Sequence, residues 1–182
     1  MPRSGAMQVS VAVLVSLAGI VRAQTQTPWP QEPTGFRGVP FGASAKDLSA
    51  KVPVEGCHDG RLCSIWCSSK FTIAGQTGRA EVIFIWWEFA GVAFHFAPDA
   101  LESLKKFAVA NYGPPHASGS TLGLGLQLTA QEVLRWDGKK VTVMLTDSRT
   151  KPREGLFLLE TKALDECLRK EFQDWQKSLP RL

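Results

Sequence analysis

The chain has 182 residues, of which 21 are Lys or Arg and 17 are Asp or Glu, giving a formal net charge of +4. Two of the basic residues, Arg3 and Arg22, fall within the first 23 positions, so the rest of the chain carries 19 basic against 17 acidic side chains. This near balance excludes the continuous basic surface that nucleic-acid-binding proteins use, and we predict no nucleic-acid partner.

Residues 1–23 have the three-part pattern of a secretory signal peptide. A short polar start containing Arg3 is followed by an apolar run over 9–21, and Val21, Arg22 and Ala23 form the cleavage region. The apolar run is shorter than the roughly 20 residues that span a bilayer. We therefore predict that this segment is removed. The mature chain is expected to be periplasmic or extracellular, with no transmembrane segment.

The mature chain is expected to form a single domain. Residues 24–34 are rich in Gln, Thr and Pro and have no apolar period, which predicts a flexible lead-in. Residues 35–182 are long enough to bury a sizeable core without a metal ion. Near the start, Ser44 and Asp47 form a capping-box pattern that predicts a short helix ending at Pro53.

Four cysteines, an even number, indicate disulfides in an exported chain because the compartment is oxidising. They are Cys57, Cys63, Cys67 and Cys167. We favour the pairing Cys57–Cys63 with Cys67–Cys167, in which the second bond joins an early strand to the last helix. The pairing Cys57–Cys67 with Cys63–Cys167 stays open.

The rest of the domain alternates strands and helices. Alternating or apolar runs predict strands over 69–74, 81–87, 92–96, 132–136, 140–146 and 156–160. Pro98 begins a helix that ends at Gly113, and an amphipathic pattern predicts a last helix over 162–177. Asp137 and Gly138 are expected to form the tight turn of the second hairpin.

This order predicts an α+β, two-layer fold in which an antiparallel sheet packs against helices. Two successive units, each a helix followed by strands, are consistent with a tandem duplication.

Several segments together carry a resemblance. The opening over 36–42, the hairpin over 82–96, the helix that ends with Tyr112 and Gly113 before two prolines, and Trp136 before a last hairpin follow one layout. This layout resembles that of small exported bacterial proteins of unknown function. The resemblance implies a helix-and-sheet fold similar to the β-lactamase-inhibitor-like fold, and it implies no catalytic residue.

The segment 82–87 is unusual because it is apolar on both faces of a predicted strand. One interpretation is a central strand covered on both sides, with a bend following over 88–91. The other is an aromatic platform open on one face, which would mark a partner surface. The candidate surface residues are Ile83, Ile85, Trp86 and Trp87.

No catalytic constellation is recognisable around His58, His95 or His116, and no nucleophile motif, zinc-binding helix or phosphate-binding loop is present. We therefore predict a non-enzymatic exported domain, without cofactor or metal, that binds a protein or envelope partner. A secreted hydrolase of unknown substrate is one alternative. The other is binding of a soft metal by Cys63, Cys67 and His58 at the cysteine-rich loop.

Overall fold

The structure is a computed structural model that describes residue 29 and residues 32–60, 62–119, 130–148 and 154–178. The predicted signal peptide, residues 1–23, lies outside the described residues. The described part contains an eight-stranded antiparallel sheet and α-helices, so the predicted α+β class is confirmed.

The strands and helices alternate along the chain in two blocks. A two-stranded sheet, β1 (Gly35–Phe36) and β2 (Val39–Pro40), comes first. The first block is α1 (Ala45–Ser49), β3 (Glu55–Asp59), β4 (Ser64–Ile73), β5 (Gln76–Ile85) and β6 (Glu88–Phe96). After a 3₁₀ turn (Pro98–Ala100), the second is α2 (Leu101–Tyr112), β7 (Ala117–Gly119), β8 (Ala130–Asp137), β9 (Val141–Ser148) and β10 (Gly155–Thr161). The described chain closes with α3 (Lys162–Ser178).

The large sheet has the order β3-β4-β5-β6-β10-β9-β8-β7. Each block forms a meander of neighbouring antiparallel strands, and the two meanders meet where β6 pairs with β10. Strands β3 and β7 therefore lie at the two edges. Local chemistry sets the helix ends: the Ser44 side chain accepts the Asp47 N–H at α1, and Gly113, at φ 79°, follows α2.

The core has two apolar clusters that lie on opposite faces of the sheet, because neighbouring strand residues point to opposite sides. On β5, Val82 and Phe84 belong to the larger cluster, whereas Ile83 belongs to the smaller one. Helices α1 and α2 contribute to the larger cluster. Helix α3 covers the smaller cluster through Leu164 and Leu168. Strand β5 is therefore covered on both sides, as one of the two sequence interpretations expected.

The second hairpin turns later than the sequence predicted. Asp137 pairs with Thr142 and the Gly138 N–H bonds to the Val141 carbonyl, so Lys139 and Lys140 occupy the turn. The prediction that Asp137 and Gly138 form this turn was wrong. Glu32 supplies the physical reason, because its carboxylate accepts the N–H groups of Lys140 and Val141 at 2.5 and 2.7 Å.

Two described residues of the predicted lead-in, residues 24–34, pack onto the domain. Trp29 is buried in the larger cluster, and its indole N–H donates to the Tyr112 carbonyl at 2.8 Å. Glu32 holds the β8–β9 turn described above. The folded part therefore includes residues that precede Gly35, where composition alone placed its start.

Candidate functional site

The turn between β5 and β6 consists of two tryptophans. Ile85 pairs with Glu88, which leaves Trp86 and Trp87 as the two turn residues, and both have positive φ values, 52° and 68°. Positive φ at both positions is the pattern of a type I′ hairpin turn, which strongly prefers Asn followed by Gly. For side chains with a Cβ atom, left-handed backbone costs about 1–2 kcal/mol per residue. The predicted strand over 81–87 is therefore confirmed only as far as Ile85, and the bend predicted over 88–91 lies instead at Trp86 and Trp87, because residues 88–91 belong to β6.

The two indoles are the most exposed large apolar side chains among the described residues. Trp86 is 73% exposed and Trp87 is 54% exposed, although the Trp87 ring approaches Phe84 with ring centroids 6.3 Å apart. Ile85 is half-buried, and Ile83 is fully buried beneath α3. Ile83 therefore does not belong to an exposed surface, and the predicted surface is reduced to the turn itself.

A second exposed apolar residue, Leu62, lies at the same end of the sheet. Ser64 pairs with Ile85, so the β3–β4 loop that precedes Ser64 and the turn that follows Ile85 are neighbours at one end of adjoining strands. Leu62 is 50% exposed in this loop. We call Leu62, Trp86 and Trp87 the apolar tip. Leu62 was not predicted, because a lone leucine in a polar loop carries no sequence signal.

The loop that carries Leu62 is held by a buried carboxylate of α3. Glu171 Oε1 accepts the backbone N–H groups of Leu62 and Cys63, each at 3.0 Å. Burial raises the pKa of Glu171, but these bonds and those from Ser64 lower it by more, so the pKa lies below its usual range. The role of Glu171 was not predicted. Its only signal in the sequence is that it follows Cys167 by four positions and so shares a helix face with this cysteine.

The disulfides fix the same region. Cys57 is bonded to Cys67 across β3 and β4, with Cα atoms 4.0 Å apart, and Cys63 is bonded to Cys167 of α3, with Cα atoms 6.2 Å apart. The favoured pairing Cys57–Cys63 with Cys67–Cys167 was therefore wrong, and the pairing left open is the observed one. The hairpin explains it, because β3 and β4 place Cys57 beside Cys67 and carry Cys63 beyond the strand end toward α3.

The soft-metal alternative depended on free thiolates. Cys63, Cys167 and Glu171 offer ligand atoms within 4.8 Å of one another, but the two sulfurs are bonded to each other. Cys67 is likewise bonded to Cys57, and no cysteine in the described part of the chain is free. In this disulfide-bonded form the proposed ligand set of Cys63, Cys67 and His58 is not assembled.

The other histidines contact backbone or charged groups. His95 Nε2 lies 3.2 Å from Glu81 Oε2, and its Nδ1 lies 3.3 Å from Arg79 Nη2. The hydrogen bond with His95 is the main reason that the pKa of Glu81 is lowered. His116 Nδ1 accepts the Asp137 N–H at 2.9 Å. Within the described ranges, neither imidazole has a serine or cysteine as a hydrogen-bond partner.

Comparisons with protein-family models, with curated proteins and with solved structures find no match to this chain. None of the helices in the described ranges has the length and apolar character needed to cross a membrane. The two disulfides favour a location outside the cytoplasm, where such bonds persist.

Proposed function

We propose that the protein is an exported, non-enzymatic domain that binds a protein or envelope component through the apolar tip. The observation that carries this proposal is the turn of Trp86 and Trp87, where two large aromatic side chains occupy positive-φ positions and stay exposed. Backbone strain at an exposed site does not help folding, and it concentrates where function requires a particular residue.

Tryptophan is well suited to this role. An indole buries a large apolar area and brings one N–H donor, so Trp is enriched among the residues that contribute most to binding. A contact that covered the exposed parts of Trp86, Trp87 and Leu62 would remove apolar surface from water at one small place. The proposed partner therefore presents an apolar recess flanked by hydrogen-bond acceptors.

Covalent and hydrogen bonds hold the backbone of the apolar tip in place, and this rigidity is a second argument for a binding role. The Leu62 loop is joined to α3 by the Cys63–Cys167 disulfide and by the Glu171 carboxylate. Trp86 and Trp87 form a two-residue turn, so the paired strands β5 and β6 fix the backbone on both sides of the two indoles. Side chains on a rigid support lose less conformational entropy on binding than side chains on a mobile loop.

Export is part of the same proposal. The pattern of residues 1–23 is that of a signal peptide, and two disulfides are typical of exported domains. An envelope or extracellular setting supplies the components that the tip would meet.

We also infer that the domain contains a tandem duplication. Each half consists of a helix followed by a four-stranded meander: α1 with β3 to β6, and α2 with β7 to β10. The halves join edge to edge through β6 and β10, so equivalent strands take equivalent places on either side of this joint.

The test replaces the turn by the sequence that its backbone prefers. The double variant Trp86→Asn, Trp87→Gly removes both indoles and keeps a type I′ turn, so it should fold and lose binding. The mature wild-type and variant proteins are immobilised and exposed to envelope extract. Components retained by the wild type are then purified and titrated.

We expect the double variant to bind the purified component at least about tenfold more weakly, since truncation of a central aromatic residue commonly costs about 2 kcal/mol or more. Val109→Ser, at an exposed apolar residue of α2, is the matched control and should bind as the wild type does. Equal affinity of the wild type and the double variant would contradict the proposal.

A further inference from the structure

A group of charged side chains lies between the sheet and the first turns of α3. Glu160 of β10 is 1% exposed, and its sheet neighbours are Gly91 of β6 and Thr142 of β9. The charged residues that act on it are Arg135 of β8 and Lys162 and Asp165 of α3, and Asp137 of β8 in turn pairs with Arg135 and Lys162. Three carboxyl groups thus face two cationic groups.

Both cations are directed to one carboxylate. Lys162 Nζ donates to Asp137 Oδ1 and, at 2.8 Å, to Thr142 Oγ1. Arg135 Nη2 lies 3.4 Å from the same Asp137 oxygen. Asp137 is therefore well supplied with donors, and its pKa is lowered although burial alone would raise it.

Within the described residues, each of the other two carboxyl groups has one buried oxygen that receives no donor. Glu160 Oε1 and Asp165 Oδ1 are buried atoms without a hydrogen-bond partner in the described part of the chain, and the same is true of Arg135 Nε. A buried carboxylate oxygen without a donor is costly, and two neighbouring carboxylates repel each other. One added proton would remove a negative charge and supply the missing donor.

We propose that the folded protein holds one proton on the buried carboxyl group of Glu160, and that release of this proton to solvent loosens the first turns of α3 from the sheet. Burial, with the nearby charge of Asp165, also raises the pKa of Glu160 to about 8. Helix α3 covers Ile83 and carries Cys167 and Glu171, so the proton controls the element that supports the Leu62 loop.

The first experiment measures the proton directly. Protein labelled with ¹³C at glutamate carboxyl groups is titrated by NMR, and the Glu160 resonance is assigned through the backbone, so no variant is needed. We expect a midpoint near 8, against the ordinary value of 4.5. A midpoint at or below 4.5 would overturn the proposal, because it would show that Glu160 is ionised and receives its bonds from water or from Arg135.

Two variants test the partner and the consequence. Asp165→Asn should lower the Glu160 midpoint, since a neighbouring negative charge is removed, whereas Glu81→Gln on β5 should leave it unchanged. Glu160→Gln should remove the part of the pH dependence of folding stability that comes from this one proton. From about pH 4.5 to 8, the folding equilibrium constant of the wild type should fall by up to about tenfold per pH unit relative to this variant.

The effect on α3 is measured at one pH, so that the chemistry of exchange is the same in both proteins. At pH 9, the backbone amides in the first turns of α3 should exchange with solvent faster in the wild type than in Glu160→Gln. Equal exchange rates, or parallel pH profiles of stability, would overturn the proposed link between the proton and the helix.

Discussion

Glu171 accepts hydrogen bonds from both the backbone N–H and the side-chain hydroxyl of Ser64, at 3.1 and 3.0 Å, although the two residues are 107 positions apart. The Ser64 hydroxyl in turn accepts the Trp66 indole N–H at 2.9 Å. One carboxylate of the last helix therefore organises the start of β4. This relationship makes Glu171 the residue whose loss should most disturb the loop beside the tryptophan turn.

We predict that Glu171→Gln destabilises the protein by about 1–3 kcal/mol at neutral pH, because charge-assisted bonds to buried donors are weakened. The pKa of Glu171 is lowered in the folded state, so its contribution to stability is present above pH 4.5 and is lost as the pH falls through the folded pKa. Urea unfolding at pH 7 and in acid should show the difference between the proteins shrinking at low pH. Glu166→Gln, on the exposed side of α3, is the control, and a constant difference at all pH values would contradict the prediction.

The double variant Trp86→Asn, Trp87→Gly should be more stable than the wild type by about 1–2 kcal/mol. The reason is relief of the positive-φ strain, which is complete with glycine at position 87 and only partial with asparagine at position 86. Thermal unfolding of the two proteins measures the change. A lower melting temperature would show that the indoles stabilise the fold, and the strain would then give no support to a binding role.

Removal of the two disulfides should have unequal effects. The Cys63–Cys167 bond spans 104 positions and the Cys57–Cys67 bond spans 10, for which the chain-entropy model gives about 5 and about 3 kcal/mol. The double variant Cys63→Ser, Cys167→Ser should therefore be less stable than Cys57→Ser, Cys67→Ser in denaturant unfolding. Peptide mapping without reduction checks the pairing itself, and a peptide joining Cys57 to Cys63 would refute it.

Glu32→Ala should cost about 1–3 kcal/mol, because the buried N–H of Val141 and that of Lys140 lose a charged acceptor. The effect should be local, with faster amide exchange at the β8–β9 turn and little change at the tryptophan turn. Lys139→Ala, in the same turn, is the control. Unchanged stability of Glu32→Ala would mean that the two bonds accepted by Glu32 add nothing to the stability of the fold.

Short-range patterns predicted much of the fold. The capping residue Ser44, the glycine after Tyr112 and the amphipathic run of the last helix each act within a few positions, so they can be seen in the sequence. The apolar run around Ile83 left two interpretations open, and coverage on both faces is the one that the structure shows. These features depend on chemistry that neighbouring residues determine alone.

The candidate site depended on contacts between distant residues. Trp86 and Trp87 are not usual turn-forming residues. The sequence therefore predicted a continuous strand here, whereas the pairing of β5 with β6 makes these two residues a turn. The cysteine pairing followed from the β3–β4 hairpin and the position of α3, and the turn at Lys139 followed from Glu32. Cys167 lies 104 positions from Cys63 and Glu32 lies 108 positions from Lys140, so neither of these contacts is visible in a local sequence pattern.

The Cys63–Cys167 bond also determines how the domain would carry tension. If Trp29 and Ser178 are pulled apart, the force passes from Cys63 to Cys167 through the disulfide. The chain from residue 68 to residue 166 therefore bears no tension. Almost the whole sheet would then remain folded while the chain on either side straightened. Under oxidising conditions the domain therefore cannot lengthen by unravelling the strands that lie between these two cysteines.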